Sequence, residues 1–154
     1  MKTNLYEQGM GHLERGEVAE GRRLLEQALE ASPGDARVMQ GLARALDMAG
    51  ERLEARALLE RANLQAPTEP GPACDLSMMY LEQEADARAA RVLEPVLAAH
   101  PENPAVHLHL AMALAKSDPG RAQGHARKAR SAAEPELRQQ ADMLLRALES
   151  VLPD

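Results

Sequence analysis

Four of the five histidines lie in one stretch of the sequence: His100, His107, His109 and His125. Imidazole is a common metal ligand and general base, so this group raises the question of a metal or catalytic centre. His107 and His109 are two residues apart, which on a helix directs them to different faces. No Cys, Asp or Glu joins them at the spacing of a metal site. The pattern therefore predicts no metal centre.

Cys74 is the only cysteine, so an internal disulfide is impossible. No histidine or basic residue lies close to it in the sequence to activate its thiol. The chain also contains neither a glycine-rich phosphate-binding loop nor a serine-elbow motif. We therefore predict a protein that is not an enzyme and needs no cofactor, in which Cys74 is a small apolar residue.

Arg37 and Arg44 form a pair of charges with a spacing suited to ligand binding. Seven residues place them two turns apart on one helix face, where they could bind a carboxylate through charge-assisted hydrogen bonds. The alternative is that both are surface arginines that balance Asp47 and neighbouring acids. The sequence leaves both interpretations open.

The composition indicates which elements must position these residues. The 154 residues include no Ile, Phe or Trp, and Val and Thr are scarce, whereas a sheet needs β-branched and aromatic side chains. Ala and Leu make up about a third of the chain, which is typical of packed helices. The length fits one domain or one short array of repeats. An all-α fold is therefore expected.

Charge and hydropathy limit the partners. The net charge is −6, and the 18 basic residues are interleaved with 24 acidic ones, so no basic face for nucleic acid is expected. No run of apolar residues is long enough for a membrane span, which predicts no membrane insertion. The N-terminal residues lack the apolar core of a signal peptide. A cytoplasmic protein is therefore expected, unless the chain is an excised part of an envelope protein.

Three prolines, Pro33, Pro67 and Pro101, lie 34 residues apart, and each follows a helical pattern and opens a turn. Gly16 and Gly50 have the same spacing and stand where a turn is needed in the middle of the unit. Further positions keep the register: Leu25, Leu59 and Leu93, and Ala28, Ala62 and Val96. The sequence is therefore a repeat with a period of 34 residues.

A unit of this length, with matched small residues, a central glycine and a closing proline, resembles the tetratricopeptide repeat. The second unit matches best, through Met39, Leu42, Ala43, Leu46, Gly50, Ala55, Leu59, Ala62 and Pro67. The position usually held by Trp is occupied by Leu5, Met39, Ala73 and His107, so the pattern is kept by size. The fourth unit fits only if its turn is one residue shorter.

The resemblance implies an all-α fold, a right-handed α-solenoid of about four helix-turn-helix repeats that stack on one another. One domain over 1–154 is expected, with repeats at about 2–35, 36–69, 70–103 and 104–134. A capping helix over 135–152 is predicted from an apolar stripe, which includes Val151 and would face the last repeat.

The resemblance also implies a protein-binding module whose concave groove is lined by the first helix of each repeat. Carried over by register, the groove residues are Tyr6, Met10, Leu13, Arg37, Gln40, Arg44, Asp47, Cys74, Met78, Leu81, Leu108 and Met112. Most are apolar, which favours a partner's peptide or amphipathic helix over open water. The alternative is that packing between the helices already buries these side chains.

Three functions fit such a groove. The first is a scaffold or adaptor that binds a protein or peptide partner during assembly of a larger complex. The second is a dedicated secretion chaperone for an exported hydrophobic client. The third is self-assembly, so both a monomer and a homodimer are open.

Overall fold

The computed structural model describes residues 4–152, which form nine α-helices and no strand within that range. This confirms the predicted all-α fold. The helices are α1 (Leu5–Glu14), α2 (Val18–Ala31), α3 (Ala36–Met48), α4 (Arg52–Gln65), α5 (Pro70–Glu82), α6 (Asp86–Ala99), α7 (Pro104–Leu114), α8 (Pro119–Ala129) and α9 (Pro135–Glu149). None of these helices is both long enough and apolar enough to cross a bilayer.

Polar caps and prolines fix where the helices begin. The Asp35 carboxylate accepts hydrogen bonds from the backbone N–H groups of Arg37 and Val38, which lack partners inside α3. The Asn103 side chain accepts one from Val106 at the start of α7. Pro70, Pro104, Pro119 and Pro135 each occupy a first helical position, where the missing N–H has no consequence.

The turns inside the first three helix pairs share one backbone conformation. Gly16 and Gly50 have φ of +78° and +83°, values that an L side chain rarely adopts. The equivalent residue of the third pair is Glu84, with φ of +57°. The third pair therefore keeps the turn conformation without a glycine, and Glu84 carries local backbone strain.

The packing divides the chain into two compact units, unit 1 up to Pro67 and unit 2 from Thr68. In unit 1, α1 pairs with α2 and α3 pairs with α4, while α3 also contacts both helices of the first pair. The single domain over 1–154 stays a prediction.

Two glycines bring α1 and α2 together in unit 1. A Cβ atom added at Gly21 would lie 2.9 Å from the Gly9 carbonyl oxygen and 2.7 Å from Cδ2 of Leu13. A Cβ added at Gly9 would lie 2.7 Å from Cγ of Leu25. The two helices therefore approach until backbone meets backbone, and leucine side chains close over the crossing.

Unit 2 packs α5 with α6 and α7 with α8, and α9 lies against α7 and α8. One core cluster joins the first three of these helices through Ala73, Cys74, Leu93, Val96, Val106 and Leu110. A second cluster joins α9 to α7 and α8 through Ala111, Ala122, Ala126, Leu145 and Leu148. Thus α9 buries one face against the helices before it, as its apolar stripe predicts. The prediction is wrong for Val151, which lies beyond the end of α9 and is 66% exposed.

We expect Gly21→Ala to destabilise the chain by about 1–3 kcal/mol, because α2 must move away from the Gly9 carbonyl. Gly11→Ala on α1 is the matched control. Its new Cβ would meet only Nη1 of Arg15 at 3.6 Å, so better helix propensity should stabilise the chain by up to about 1 kcal/mol. Urea unfolding of both variants measures the difference. Equal effects of the two substitutions would contradict a backbone contact at this crossing.

Candidate functional site

Unit 2 contains an open cleft of about 510 Å³ between α5, α7 and α9. We call it the Met groove and define it by its lining residues: Met78, Leu108, His109, Met112, Gln140, Met143 and Leu144. Five of these seven side chains are apolar, and none carries a charge when His109 is neutral. The groove is therefore suited to an apolar ligand surface.

The methionines of the Met groove are accessible to a ligand. Met78 and Met112 are half-buried, and Met143 is 61% exposed. Leu108 is 1% exposed and forms the floor, where it packs against Ala129 and Ala141. Thioether side chains are flexible and polarizable, so this wall can adapt to ligands of different shape.

Two polar side chains interrupt the apolar lining, His109 and Gln140. Nδ1 of His109 lies 2.6 Å from the carbonyl oxygen of Ala105, one turn earlier in α7. Since a carbonyl can only accept, Nδ1 donates its hydrogen, and Nε2 of the neutral ring is left as a hydrogen-bond acceptor. Gln140 is exposed on α9 and offers both a donor and an acceptor.

The structure brings together three of the predicted groove residues in unit 2: Met78, Leu108 and Met112. Sequence reasoning missed His109, Gln140, Met143 and Leu144. The last three lie on α9, which has no counterpart in the repeat, so the register gave no position for them. The predicted residue Leu81 is half-buried on α5 and does not line the cleft.

Burial corrects the expectation for two residues of the predicted groove. Leu13 is 5% exposed because it packs over Gly21, and Cys74 is 8% exposed within the α5–α6–α7 core. Leu108 is also buried, but it forms the floor of the Met groove. Leu13 and Cys74 are thus core residues of their units and not part of an open surface.

The predicted groove residues of unit 1 have a different chemistry. Tyr6 and Met10 are half-buried over Gly41, where an added Cβ would lie 3.2 Å from Cε2 of Tyr6 and 2.9 Å from Sδ of Met10. The guanidinium of Arg37 stacks on the Tyr6 ring at 4.4 Å from its centroid. Both residues line a cleft of about 280 Å³ formed by the starts of α1 and α3 and the end of α2.

The charged residues along α3 are exposed. Asp47 forms an ion pair with Arg52 at 2.7 Å, so within unit 1 it does not serve as the partner of Arg44. Arg37 and Arg44 have no ion pair among the described residues of the chain, and Gln40 is half-buried between them. The pair is therefore available to an acidic ligand.

A family model for the tetratricopeptide repeat matches residues 12–71. The solved structures that resemble the chain include a thermophilic tetratricopeptide repeat protein of Thermus thermophilus, with a TM-score of 0.77 and 20% identity over 94% of this chain and 81% of that one. Residues 12–71 therefore match the tetratricopeptide repeat, and the chain shares the fold of tetratricopeptide repeat proteins.

Two further solved structures show the same fold. PilF of Pseudomonas aeruginosa has a TM-score of 0.79 at 20% identity, over 95% of this chain and 68% of that one. The structure of MamA from Desulfovibrio magneticus, residues 41 to the end, has a TM-score of 0.71 at 17% identity, over 95% of this chain and 88% of that one. A search of curated proteins gave no match.

Tetratricopeptide repeats are in general non-catalytic modules for protein interaction, and this is the class of function that the family supports. The predicted tetratricopeptide fold is confirmed, whereas the predicted handedness of the solenoid stays a prediction. Among residues 4–152, no three His, Cys, Asp or Glu side chains are grouped so that they could hold a metal ion.

Burial gives Cys74 a testable property. Desolvation, with a smaller contribution from the negative charge of Asp75, raises the pKa of its thiol from 9.0 to about 12. The folded chain should then hold about 1000-fold less thiolate than an ordinary cysteine at neutral pH. We expect very slow reaction with a thiol reagent in the native state and rapid reaction in denaturant. Fast labelling of the native chain would show that Cys74 lies on an accessible surface.

Proposed function

We propose that the chain is a protein-interaction scaffold that binds the apolar face of a partner's amphipathic helix in the Met groove. The observation that carries the proposal is the open, uncharged lining of this cleft, in which Met143 is 61% exposed. Monomeric proteins seldom leave concave apolar surface in water unless it binds something.

The walls of the cleft favour a helix as the ligand. They are themselves helices, α5, α7 and α9, and a groove between helices accepts a further helix through apolar anchors at i, i+3, i+4 and i+7. Met78, Met112 and Met143 come from three different helices, so an anchor between them would be contacted from three sides. Nε2 of His109 favours a helix that presents one hydrogen-bond donor on its apolar face.

The proposed role is assembly of a larger complex. A secretion chaperone for an exported hydrophobic client would use the same groove, and would differ in keeping its client separate from the final complex. A self-assembling scaffold would fill the groove with another copy of this chain. Self-assembly is an outcome of the experiment below.

The test uses a displayed library of helix-forming peptides, selected on the wild-type chain and then measured by titration. We expect selected peptides to carry apolar residues with helical spacing. Met78→Glu and Met143→Glu should each weaken binding at least about 30-fold, or about 2 kcal/mol, because a carboxylate would lose its water in the apolar interface.

Leu64→Glu is the matched control, because Leu64 is an apolar residue on α4 that is 81% exposed and outside the groove. It should leave peptide binding unchanged. Binding that is unaffected by both groove variants, or lost equally in the control, would refute the proposal. Light scattering over a range of concentrations identifies self-assembly if the wild type associates and Met143→Glu does not.

Arg37 and Arg44 make a separate prediction about the charge of the partner. If the partner carries an acidic segment that binds unit 1, Arg44→Glu should weaken binding by about 5-fold at low salt and less at high salt, as expected for an exposed charge. The measurement titrates an acidic peptide into the wild-type chain and into Arg44→Glu at low and high salt. Equal affinities for the two chains would assign both arginines to the solvated surface.

A further inference from the structure

His107 is a buried imidazole with a partner on each ring nitrogen. It is 1% exposed on α7. Its Nε2 lies 2.6 Å from the carbonyl oxygen of Pro101, and its Nδ1 lies 2.9 Å from Nδ1 of His125 on α8. The two rings are stacked, with centroids 5.1 Å apart and planes inclined by 29°.

The positions of the hydrogens follow from the partners. The Pro101 carbonyl can only accept, so Nε2 of His107 carries a hydrogen. Between the two Nδ1 atoms, one nitrogen must donate and the other must accept. If both were protonated, two N–H groups would point at each other across 2.9 Å. The geometry therefore accommodates one proton between the Nδ1 atoms and excludes a second.

We propose that His107 and His125 form a proton-sensitive latch that holds α7 against α8 and thereby sets the shape of the Met groove. The latch is closed while the two Nδ1 atoms share one proton and opens when a second is added. This inference rests on the proposed function, since it concerns the regulation of the same groove.

The connection to the groove is through α7. The residues that follow His107 on this helix, Leu108, His109 and Met112, line the Met groove. His107 ties the first turns of α7 to the preceding turn at Pro101 and to α8. A proton added to the neutral pair goes to the free Nε2 of His125 and leaves the bond between the two Nδ1 atoms intact. A further proton places a hydrogen on both Nδ1 atoms, and the half-buried ring of His125 can then turn towards water, while the buried ring of His107 cannot. The start of α7 then loses its polar contact with α8.

The surroundings favour the closed latch at neutral pH. Burial lowers the pKa of His125, as do the positive charges of protonated His107 on α7 and of Arg121 and Lys128 on α8 itself. The remaining polar group on the pair is the Pro101 carbonyl, and His109 two residues along is bonded to Ala105. Because the unfolded chain binds this proton more readily, stability is full above the ordinary histidine pKa of about 6.5 and falls as the pH falls below it.

The first test is direct detection of the shared proton by nuclear magnetic resonance on the full chain labelled with ¹⁵N. We expect a coupling between the two Nδ1 nuclei through the hydrogen bond at about pH 7.5, and its loss at about pH 5. The ε-methyl signals of Met78, Met112 and Met143 report on the groove. They should shift with the same midpoint, whereas the signal of Met48 in unit 1 should not.

His125→Gln removes the proton dependence of the latch, because a Gln amide can donate to neutral His107 or accept from protonated His107 by turning over. The shared acid-dependent shift of the groove methyls should be lost in this variant. The fall in Tm between these pH values should also be about 3 °C smaller than in the wild type. His100→Gln, at an exposed turn residue, should behave as the wild type does.

Absence of the Nδ1 coupling at neutral pH would overturn the latch. Loss of the coupling in acid without a shift of the groove methyls would overturn its control of the groove. Neither the coupling nor the methyl shifts require a bound peptide. If no library peptide binds the groove, the proposed function is refuted, and the two measurements still test the latch.

Discussion

In unit 1, α1 and α2 approach one another so closely that their crossing point admits only glycine. In unit 1 a Cβ atom at Gly21 would meet the Gly9 carbonyl at 2.9 Å, which leaves no space for a side chain between the two backbones. Leu13 and Leu25 must then pack over the crossing from either side. Gly41 is closely covered as well, but by side chains: Tyr6 and Met10 close over it on α3 and become half-buried.

Unit 2 uses alanines where α7 meets α8. Ala111 of α7 packs against Ala122 and Ala126 of α8, so the contact between these helices uses short side chains. Met112 of α7 lies instead at the Met groove, where α5 and α9 form the remaining walls of the cleft.

Much of the fold could be predicted from the sequence because proline and glycine act locally. Pro33, Pro67 and Pro101 each follow the end of a helix, and Gly16 and Gly50 adopt the positive φ that their turns require. The surface is harder to predict. A repeat register states which face of a helix a residue occupies, but not how near the next helix comes, so Leu13 and Cys74 are predicted in a groove but lie in the core.

The residues of α9 show the other limit of sequence reasoning. Its apolar stripe correctly predicts that Ala141, Leu145 and Leu148 are buried against the preceding helices. Met143 and Gln140 fall outside the stripe and would pass for ordinary surface residues. Only the position of α9 beside α5 and α7 makes them part of the wall of the Met groove.

Because no charged side chain lines the Met groove, its selectivity depends on shape and on the two polar groups, His109 and Gln140. Flexible thioethers tolerate many shapes, so the shape is set mainly by the backbones that carry them. The first turns of one wall, α7, are held by polar contacts of the buried His107 with Pro101 and His125. Such contacts are worth more in a low dielectric than in water and are costly to leave unmade. A histidine pair that never touches the ligand can therefore act on recognition through the helix that it anchors.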